Sequence, residues 1–147
     1  MRKVFIICSV RGASDEYRAK LEKYVANLEQ DSEVHLPHRD TNQNETGINI
    51  CKQNAEAIKC ADEVHIFYSS KSQGTHFDMG VAFALNKKLV IAENEEYGEG
   101  KSYPRMITEW QEATKTKCRH DWEYISGNCF GVDYSYTACK YCGEKQS

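Results

Sequence analysis

Residues 61–91 constrain the fold more than any other part of the chain. They begin with an almost uncharged run in which Val64 and Ile66 lie on one side and His65 lies on the other. A run of this kind is typical of an interior strand of a parallel sheet. Serine and glycine residues then indicate a turn, a helical pattern follows, and a second apolar run closes the segment. This order predicts a strand–loop–helix–strand unit with a right-handed crossover.

The helix of this unit is predicted to begin at Thr75 and to bury Phe77, Val81 and Ala84 on one face. It places Asp78 in the first helical turn, just beyond the carboxyl end of the preceding strand. Open α/β sheets bind their ligands at that edge. We therefore expect any chemistry of this chain around Asp78.

Asp78 has two interpretations at this point. Thr75 and Asp78 have the spacing of a capping box, so the carboxylate could be a helix cap. Alternatively, a carboxylate near a helix N-terminus keeps a low pKa and stays ionised, which suits a nucleophile or a stabiliser of an oxocarbenium ion.

The rest of the chain extends the same α/β pattern. Apolar runs and helical spacing predict further strands and helices at residues 3–8, 15–29, 33–36 and 48–60, and a short helix around Trp110. The expected fold is a Rossmann-like or flavodoxin-like parallel sheet flanked by helices. We expect this domain to cover residues 1–114 and a small appendage to cover residues 115–147.

Charge and hydropathy exclude some classes of function. The net charge of −3 among 147 residues provides no basic footprint for nucleic acid. No apolar run approaches the ~20 residues of a membrane span. The apolar run after Lys3 is too short for a secretory signal. We therefore expect a cytoplasmic protein with no nucleic-acid or membrane partner.

The turn after the first strand contains a candidate substrate-binding group. Ser9, Arg11 and Gly12 could present backbone amides and a guanidinium to a phosphate or sugar oxygen. The same residues also fit an ordinary strand–helix turn with a solvated arginine, and the pattern alone leaves both interpretations open.

Two other polar positions are candidates. His38, Arg39 and Asp40 lie in a long polar loop at residues 37–47, which either covers the site or is a solvated loop with an Asx-turn. Asp62 precedes a strand, and it is either a second carboxylate of the site or a turn residue.

The seven cysteines fall into two groups. An odd total, in a chain without an export signal, argues against a disulfide framework. Cys8, Cys51 and Cys60 are scattered, and we expect them to be small core residues.

The other four cysteines lie in the last part of the chain and indicate a structural zinc site. Cys139 and Cys142 form a CxxC pair, and Cys118 with His120 would complete a closed set of four ligands. Cys129 is the alternative to His120. A redox role for the CxxC pair is less favoured because the pair lies outside a βαβ unit. The appendage is thus predicted to be zinc-ribbon-like.

Residues 61–91 also resemble the motif segment of the nucleoside 2-deoxyribosyltransferase-like superfamily. After Ala61-Asp62, the family pattern Ser-x-Gly-x-x-x-Glu-x-Gly-x-Ala is matched by Ser72, Gly74, Asp78, Gly80 and Ala82. The N-terminal FIICSVRGASDEY is similar to the Ser-Ile-Arg-Gly-Gly loop of the 2'-deoxynucleoside 5'-phosphate N-hydrolase branch. The resemblance extends over roughly residues 3–112.

The resemblance implies a set of roles. Asp78 would attack or stabilise the anomeric carbon, and Asp62 would orient the base. It also implies a homodimer or larger assembly in which a neighbouring subunit completes the site. We expect no organic cofactor. The sugar and any 5'-phosphate would be held by Ser9, Arg11, Gly12, Ser72 and Gly74.

The family's nucleophile is usually glutamate, and Asp78 is one methylene shorter. Misplacement on that scale can cost about a hundredfold in rate. Our first hypothesis is an enzyme that hydrolyses or transfers the base at a (deoxy)nucleoside or its 5'-monophosphate. The alternative is a non-catalytic nucleotide-sensing or partner-binding module with a zinc tail, and a weaker option is cleavage of NAD at the nicotinamide bond.

Overall fold

The structure is a computed structural model that describes residues 1–115, 121–140 and 144–146. Among these residues it contains a four-stranded sheet and a two-stranded hairpin. No helix in the described ranges is long and apolar enough to cross a membrane. The elements, in chain order, are β1 (Arg2–Ile7), α1 (Asp15–Leu28), β2 (Ser32–His35), α2 (Pro37–Asp40), α3 (Gly47–Cys60), β3 (Glu63–Phe67), α4 (Gln73–Ala84), β4 (Lys88–Glu93), α5 (Tyr103–Lys115), β5 (Trp122–Cys129) and β6 (Val132–Cys139).

The main sheet is parallel and has the strand order β2-β1-β3-β4. β1 and β3 occupy the interior, and every residue of β3 is buried. This confirms the predicted parallel α/β fold. The strand order is flavodoxin-like, and it reverses direction between β1 and β3. A crevice for a ligand is therefore expected at the carboxyl ends of these two strands.

Two apolar layers enclose the sheet. One layer packs α3, α4 and α5 on one face, through residues that include Phe5, Ile58, Ile66, Met79 and Ile107. The other packs α1 on the opposite face, through residues that include Ile6, Leu21, Val25, Val34 and Leu36. Both faces of the sheet are thus covered, as an all-parallel sheet requires.

The helix that carries Asp78 begins earlier than predicted. Ser72 is the N-cap of α4, and its Oγ accepts a hydrogen bond from the Thr75 backbone N–H at 3.2 Å. The predicted apolar face is also wrong, since Phe77 is 46% exposed. The buried face consists of Thr75, Asp78, Met79 and Ala82. Polar residues were not expected there, because apolar spacing alone cannot reveal a buried face that carries a site.

The polar segment at residues 37–47 was predicted to be a surface loop, and this is only partly correct. It begins with the short helix α2, with Pro37 at the first helical positions, and Thr41 after it is buried. The remainder, up to the Thr46 cap of α3, is exposed.

The tail folds into an antiparallel hairpin, in which β5 pairs with β6 from Trp122–Cys139 to Cys129–Val132. A disulfide joins Cys129 to Cys60 at the end of α3. The expectations of no disulfide and of a core thiol at Cys60 are therefore wrong. No local pattern reveals this bond, because it depends on the tail folding back across a separation of 69 residues.

The disulfide also bears on the predicted zinc ligands. It engages Cys129 and so removes it as an alternative to His120. Cys139 ends β6 and is 1% exposed. The other proposed ligands, Cys118, His120 and Cys142, lie outside the described residues.

Candidate active site

Asp78 lies on the buried face of α4, at the edge of the sheet where the strands end. Its side chain is 4% exposed. The Asn54 side-chain amide of α3 donates a hydrogen bond to Asp78 Oδ2 at 3.4 Å. Cys8, which directly follows β1, interacts electrostatically with the same carboxyl. Asp78 therefore lies near the carboxyl ends of β1 and β3, where a ligand crevice is expected.

Burial raises the pKa of Asp78 to about 7, and the hydrogen bond from Asn54 opposes that shift. This overturns the expectation of a low pKa. Because α4 begins at Gln73, Asp78 lies beyond the first turn, and the loss of water outweighs the helix dipole. A carboxyl with a pKa near neutrality can act as a nucleophile or exchange a proton under physiological conditions.

The capping-box interpretation of Asp78 is also wrong. Ser72 rather than Thr75 occupies the N-cap, and its hydroxyl already accepts the Thr75 N–H. The Asp78 side chain instead contacts Asn54 of the neighbouring helix.

A chain of buried polar groups continues from Asp78 away from the crevice. Thr41 Oγ1 donates to Asn54 Oδ1 at 2.7 Å, and His35 Nε2 lies 2.9 Å from Thr41 Oγ1. Asn54 is 8% exposed and Thr41 is 4% exposed. Burial is also the main cause that lowers the pKa of His35.

Thr75 supplies a second polar group beside Asp78. It precedes Asp78 by about one turn on the buried face of α4 and is 0% exposed. Among the described residues, its Oγ1 has no hydrogen-bond partner. Native proteins rarely leave such a hydroxyl unpaired, so it is a candidate to bind a water or a ligand hydroxyl.

The residues after β1 reach the same edge of the sheet. The Ser9 N–H donates to the Tyr17 hydroxyl at 3.4 Å. Arg11 is exposed, and Gly12 has a φ of +68°, which favours glycine. The loop follows the carboxyl end of β1, and its predicted contacts with a sugar or phosphate stay a prediction.

The start of α4 carries the other two predicted substrate residues. Ser72 uses its hydroxyl as the helix cap, and Gly74 is exposed in the first turn. Both residues lie within two helical turns of Asp78, at the start of the same helix.

Arg39 and Asp40 are paired with each other. The Arg39 guanidinium donates to both carboxylate oxygens of Asp40 at 2.9 Å and also contacts Glu29 at 2.8 Å. Asp40 Oδ2 accepts the Leu36 N–H at 2.8 Å. The two side chains therefore bind each other and nearby groups of the protein. Their predicted contact with a substrate stays a prediction.

Asp62 does not lie beside Asp78. It precedes β3, and its carboxylate accepts the Lys3 N–H at 2.8 Å at the amino end of β1. It also forms an ion pair with Lys145 of the tail. In a parallel sheet, residues before a strand and residues after it lie at opposite edges. We therefore withdraw Asp62 from the candidate site.

A group of rings borders the same edge as Asp78. The Tyr68 hydroxyl lies 3.0 Å from His76 Nε2, and His76 Nδ1 lies 2.7 Å from the Ser72 carbonyl oxygen. The His76 ring packs edge-on against Tyr103, with centroids 4.9 Å apart. Tyr103 is 57% exposed. Aromatic rings of this kind can border a flat aromatic ligand.

Sequence reasoning did not name Asn54 or Thr41, and it named Thr75 only as the start of the helix. Asn54 shares the buried face of α3 with Ala57 and Ile58, where the helical pattern calls for apolar residues. An amide at such a position is a detectable signal of a buried polar contact. Thr41 has no such signal, because it follows a short helix in a polar segment.

Solved structures of other proteins share this fold. The CMP N-glycosidase BcmB of Clostridium botulinum aligns with a TM-score of 0.54 and 27% identity, over 74% of this chain and 81% of that chain. This likeness supports the resemblance to the nucleoside 2-deoxyribosyltransferase-like superfamily. No family model matches the sequence, and no curated protein matches it significantly.

Two further solved structures share the fold. The 2-deoxyribosyltransferase of Leishmania mexicana aligns with a TM-score of 0.52 and 24% identity, over 65% of this chain and 66% of that chain. The 2-deoxyribosyltransferase of Bacillus psychrosaccharolyticus aligns with a TM-score of 0.57 and 18% identity, over 78% and 92%. At these identities the two likenesses concern the fold alone.

Proposed function

We propose that this protein is an enzyme that cleaves the N-glycosidic bond of a (deoxy)nucleoside or nucleoside 5'-monophosphate, with Asp78 as its nucleophile. The observation that carries the proposal is a buried carboxyl at the β1–β3 switch point, with a pKa raised to about 7 by burial. The N-glycosidase among the similar structures supports the reaction class.

The proposed reaction has two steps. An Asp78 carboxylate oxygen forms a bond to the anomeric carbon as the bond from that carbon to the base nitrogen breaks. The electron pair leaves with the base, which takes up a proton. A water molecule, or a second base, then attacks the anomeric carbon, loses a proton to solvent and releases the Asp78 carboxylate.

The substrate contacts are part of the same proposal. Arg11 and the backbone of Ser9 and Gly12 would hold the 5'-phosphate side, since a guanidinium and amide groups bind phosphate oxygens well. Ser72 and Gly74 would contact the sugar at the start of α4. Arg39 and Asp40 remain candidates for outer contacts.

The test measures free base. Wild-type protein is incubated with a panel of ribo- and deoxyribonucleosides, their 5'-monophosphates and NAD, and released base is separated by chromatography. Base release from at least one compound, lost in Asp78→Ala, would support the enzyme. Asp62→Asn is the matched control, and it should retain activity because Asp62 lies at the opposite edge of the sheet.

The second candidate is a non-catalytic nucleotide-binding module. The short carboxylate at position 78 favours it, because the reach to the anomeric carbon is one methylene less than glutamate provides. The same panel distinguishes the two candidates. A ligand that raises the thermal unfolding temperature without releasing base in either protein would support the module.

The zinc site stays a proposal for the tail, with Cys118, His120, Cys139 and Cys142 as structural ligands. Thiolate and imidazole donors suit a closed tetrahedral zinc site. Metal content would be measured in wild-type protein, in Cys142→Ser and in Cys51→Ser as the control. One zinc per chain in wild-type and control, with loss in Cys142→Ser, is expected, and a full equivalent in Cys142→Ser would contradict the assignment.

A further inference from the structure

The buried polar chain behind Asp78 draws its members from separate parts of the fold. His35 ends β2, Thr41 follows α2, Asn54 lies in α3 and Asp78 lies in α4. The successive donor–acceptor distances are 2.9, 2.7 and 3.4 Å. Such a chain is a costly feature of a core, because each buried polar group must keep its partner.

The direction of the hydrogen bonds follows from the chemistry of the groups. An ionised Asp78 only accepts, so the Asn54 –NH₂ must face it and the Asn54 carbonyl oxygen must face Thr41. The single Thr41 hydroxyl proton is donated to that oxygen. Thr41 therefore accepts from His35 Nε2–H, and every donor in the chain points toward Asp78.

Asn54 has little freedom to take another orientation while Asp78 is ionised. A flipped amide would place its carbonyl oxygen against the carboxylate. Thr41 and His35 oppose that flip because they already supply a donor to the carbonyl side. Thr41 and His35 thus stabilise the orientation of Asn54 in which its –NH₂ group contacts Asp78.

One carboxylate oxygen of Asp78 is engaged in this way. Oδ2 accepts from Asn54, and among the residues that the structure describes the other oxygen, Oδ1, has no hydrogen-bond partner. A short side chain can reach an anomeric carbon only if its remaining oxygen is aimed correctly, since small misplacements are expensive in rate. A hydrogen-bond donor that fixes the orientation of the carboxylate would direct this oxygen correctly.

We propose that Asn54, oriented by Thr41 and His35, is the positioning residue that holds Asp78 Oδ2 and directs Oδ1 to the anomeric carbon. This inference rests on the proposed function. Asn54 does not touch the reacting atoms, so it acts through Asp78. Cys8, directly after β1, also interacts with the charge of Asp78, but burial, with that charge second, raises the pKa of its thiol to about 12, so the thiol stays neutral near pH 7.

The first measurement is a titration of the Asp78 carboxyl by NMR with ¹³C-labelled aspartate, in wild-type protein and in Asn54→Leu. The hydrogen bond from Asn54 lowers the pKa of Asp78, so its loss should raise that pKa further. An unchanged pKa in a folded Asn54→Leu protein would overturn the inference. This readout needs no turnover, so it remains decisive if no substrate in the panel releases base.

The second measurement is the pH profile of base release. Asn54→Leu should lower kcat by about tenfold to a hundredfold, with a smaller change in KM, and should move the acidic limb to higher pH. Asn49→Leu is the matched control, because Asn49 is an exposed asparagine of the same helix. A wild-type kcat and profile in Asn54→Leu would contradict the positioning role.

Thr41 provides a test that avoids the loss of Asn54 itself. Thr41→Val keeps the shape of the side chain but removes the hydroxyl that orients the amide, and Thr41→Ser keeps the hydroxyl. We expect a reduced kcat and a shifted acidic limb in Thr41→Val and rescue in Thr41→Ser. If Asn54→Leu does not fold, equal behaviour of the two Thr41 variants would overturn the inference.

Discussion

Burial of Asp78 makes the stability of the protein depend on pH. The folded-state pKa, raised by burial to about 7, lies above the ordinary value of 3.8. The folded state therefore holds this proton more tightly than the unfolded state. The contribution of Asp78 to folding stability declines as the pH rises from about 4 to about 7, and it stays low above that range.

Asp78→Asn should remove this penalty. At pH 8 the variant should be more stable than wild type by about 2–4 kcal/mol, because each unit of pKa shift corresponds to about 1.4 kcal/mol. At pH 4 the difference should shrink toward zero. Denaturant unfolding at both pH values measures the change, and a gain that does not depend on pH would contradict the explanation.

The same carboxyl should control the rate. If Asp78 is the nucleophile it must be ionised, so kcat/KM should rise about tenfold per pH unit below a pH of about 7 and level off above it. The profile is measured with the best substrate of the panel. An acidic limb near pH 4 would show that a different carboxyl, or a less buried Asp78, carries the reaction.

At the level of elements, α4 depends on its cap. Ser72→Ala removes the acceptor for the Thr75 N–H and should lower the free energy of unfolding by about 1 kcal/mol. Ser72→Asp keeps an acceptor at the helix N-terminus and should stay within a few tenths of a kcal/mol of wild type. Thermal and denaturant unfolding of the two variants test this difference.

The disulfide couples α3 to the tail hairpin. Cys60→Ser should destabilise the protein by about 2–4 kcal/mol, because the bond restricts a long loop in the unfolded chain. Cys129→Ser should have a similar effect, and the double variant should be no worse than either single one. Cys51→Ser is the control, since Cys51 is a half-buried cysteine outside the bond.

The elements show which features are readable from sequence. β1 and β3 were predictable because their apolar runs are local and uncharged, and Asp78 was predictable because its motif is contiguous. The amide of Asn54 on an apolar helix face was a readable signal of a buried contact, but its partners and those of Thr41 were not readable, because they lie on other segments of the chain. Asp62 was misplaced, although its position before a parallel strand already puts it at the opposite edge.

At the scale of the whole molecule, exposed apolar side chains on α4 and at its end favour self-association. Phe77, Phe83 and Leu85 are 46%, 59% and 43% exposed. Superfamily resemblance also implies a homodimer or larger assembly. We expect sedimentation analysis of the wild-type protein to find an oligomer. The double variant Phe83→Glu, Leu85→Glu should weaken this association. Tyr124→Glu is the control, because Tyr124 is an exposed aromatic residue on the hairpin, and a monomeric wild-type protein would contradict the expectation.

The position of the Cys60–Cys129 bond has a consequence for biosynthesis. It joins a segment made before β3 to one made after α5, so the intervening chain contains Asp78. The chain is synthesised from its N-terminus, and Cys60 therefore leaves the ribosome long before Cys129. An alkylating reagent added during translation should label Cys60 in unfinished chains and spare it in completed, oxidised ones. The disulfide can therefore form only after all residues up to Cys129, including the four-stranded sheet, have been synthesised.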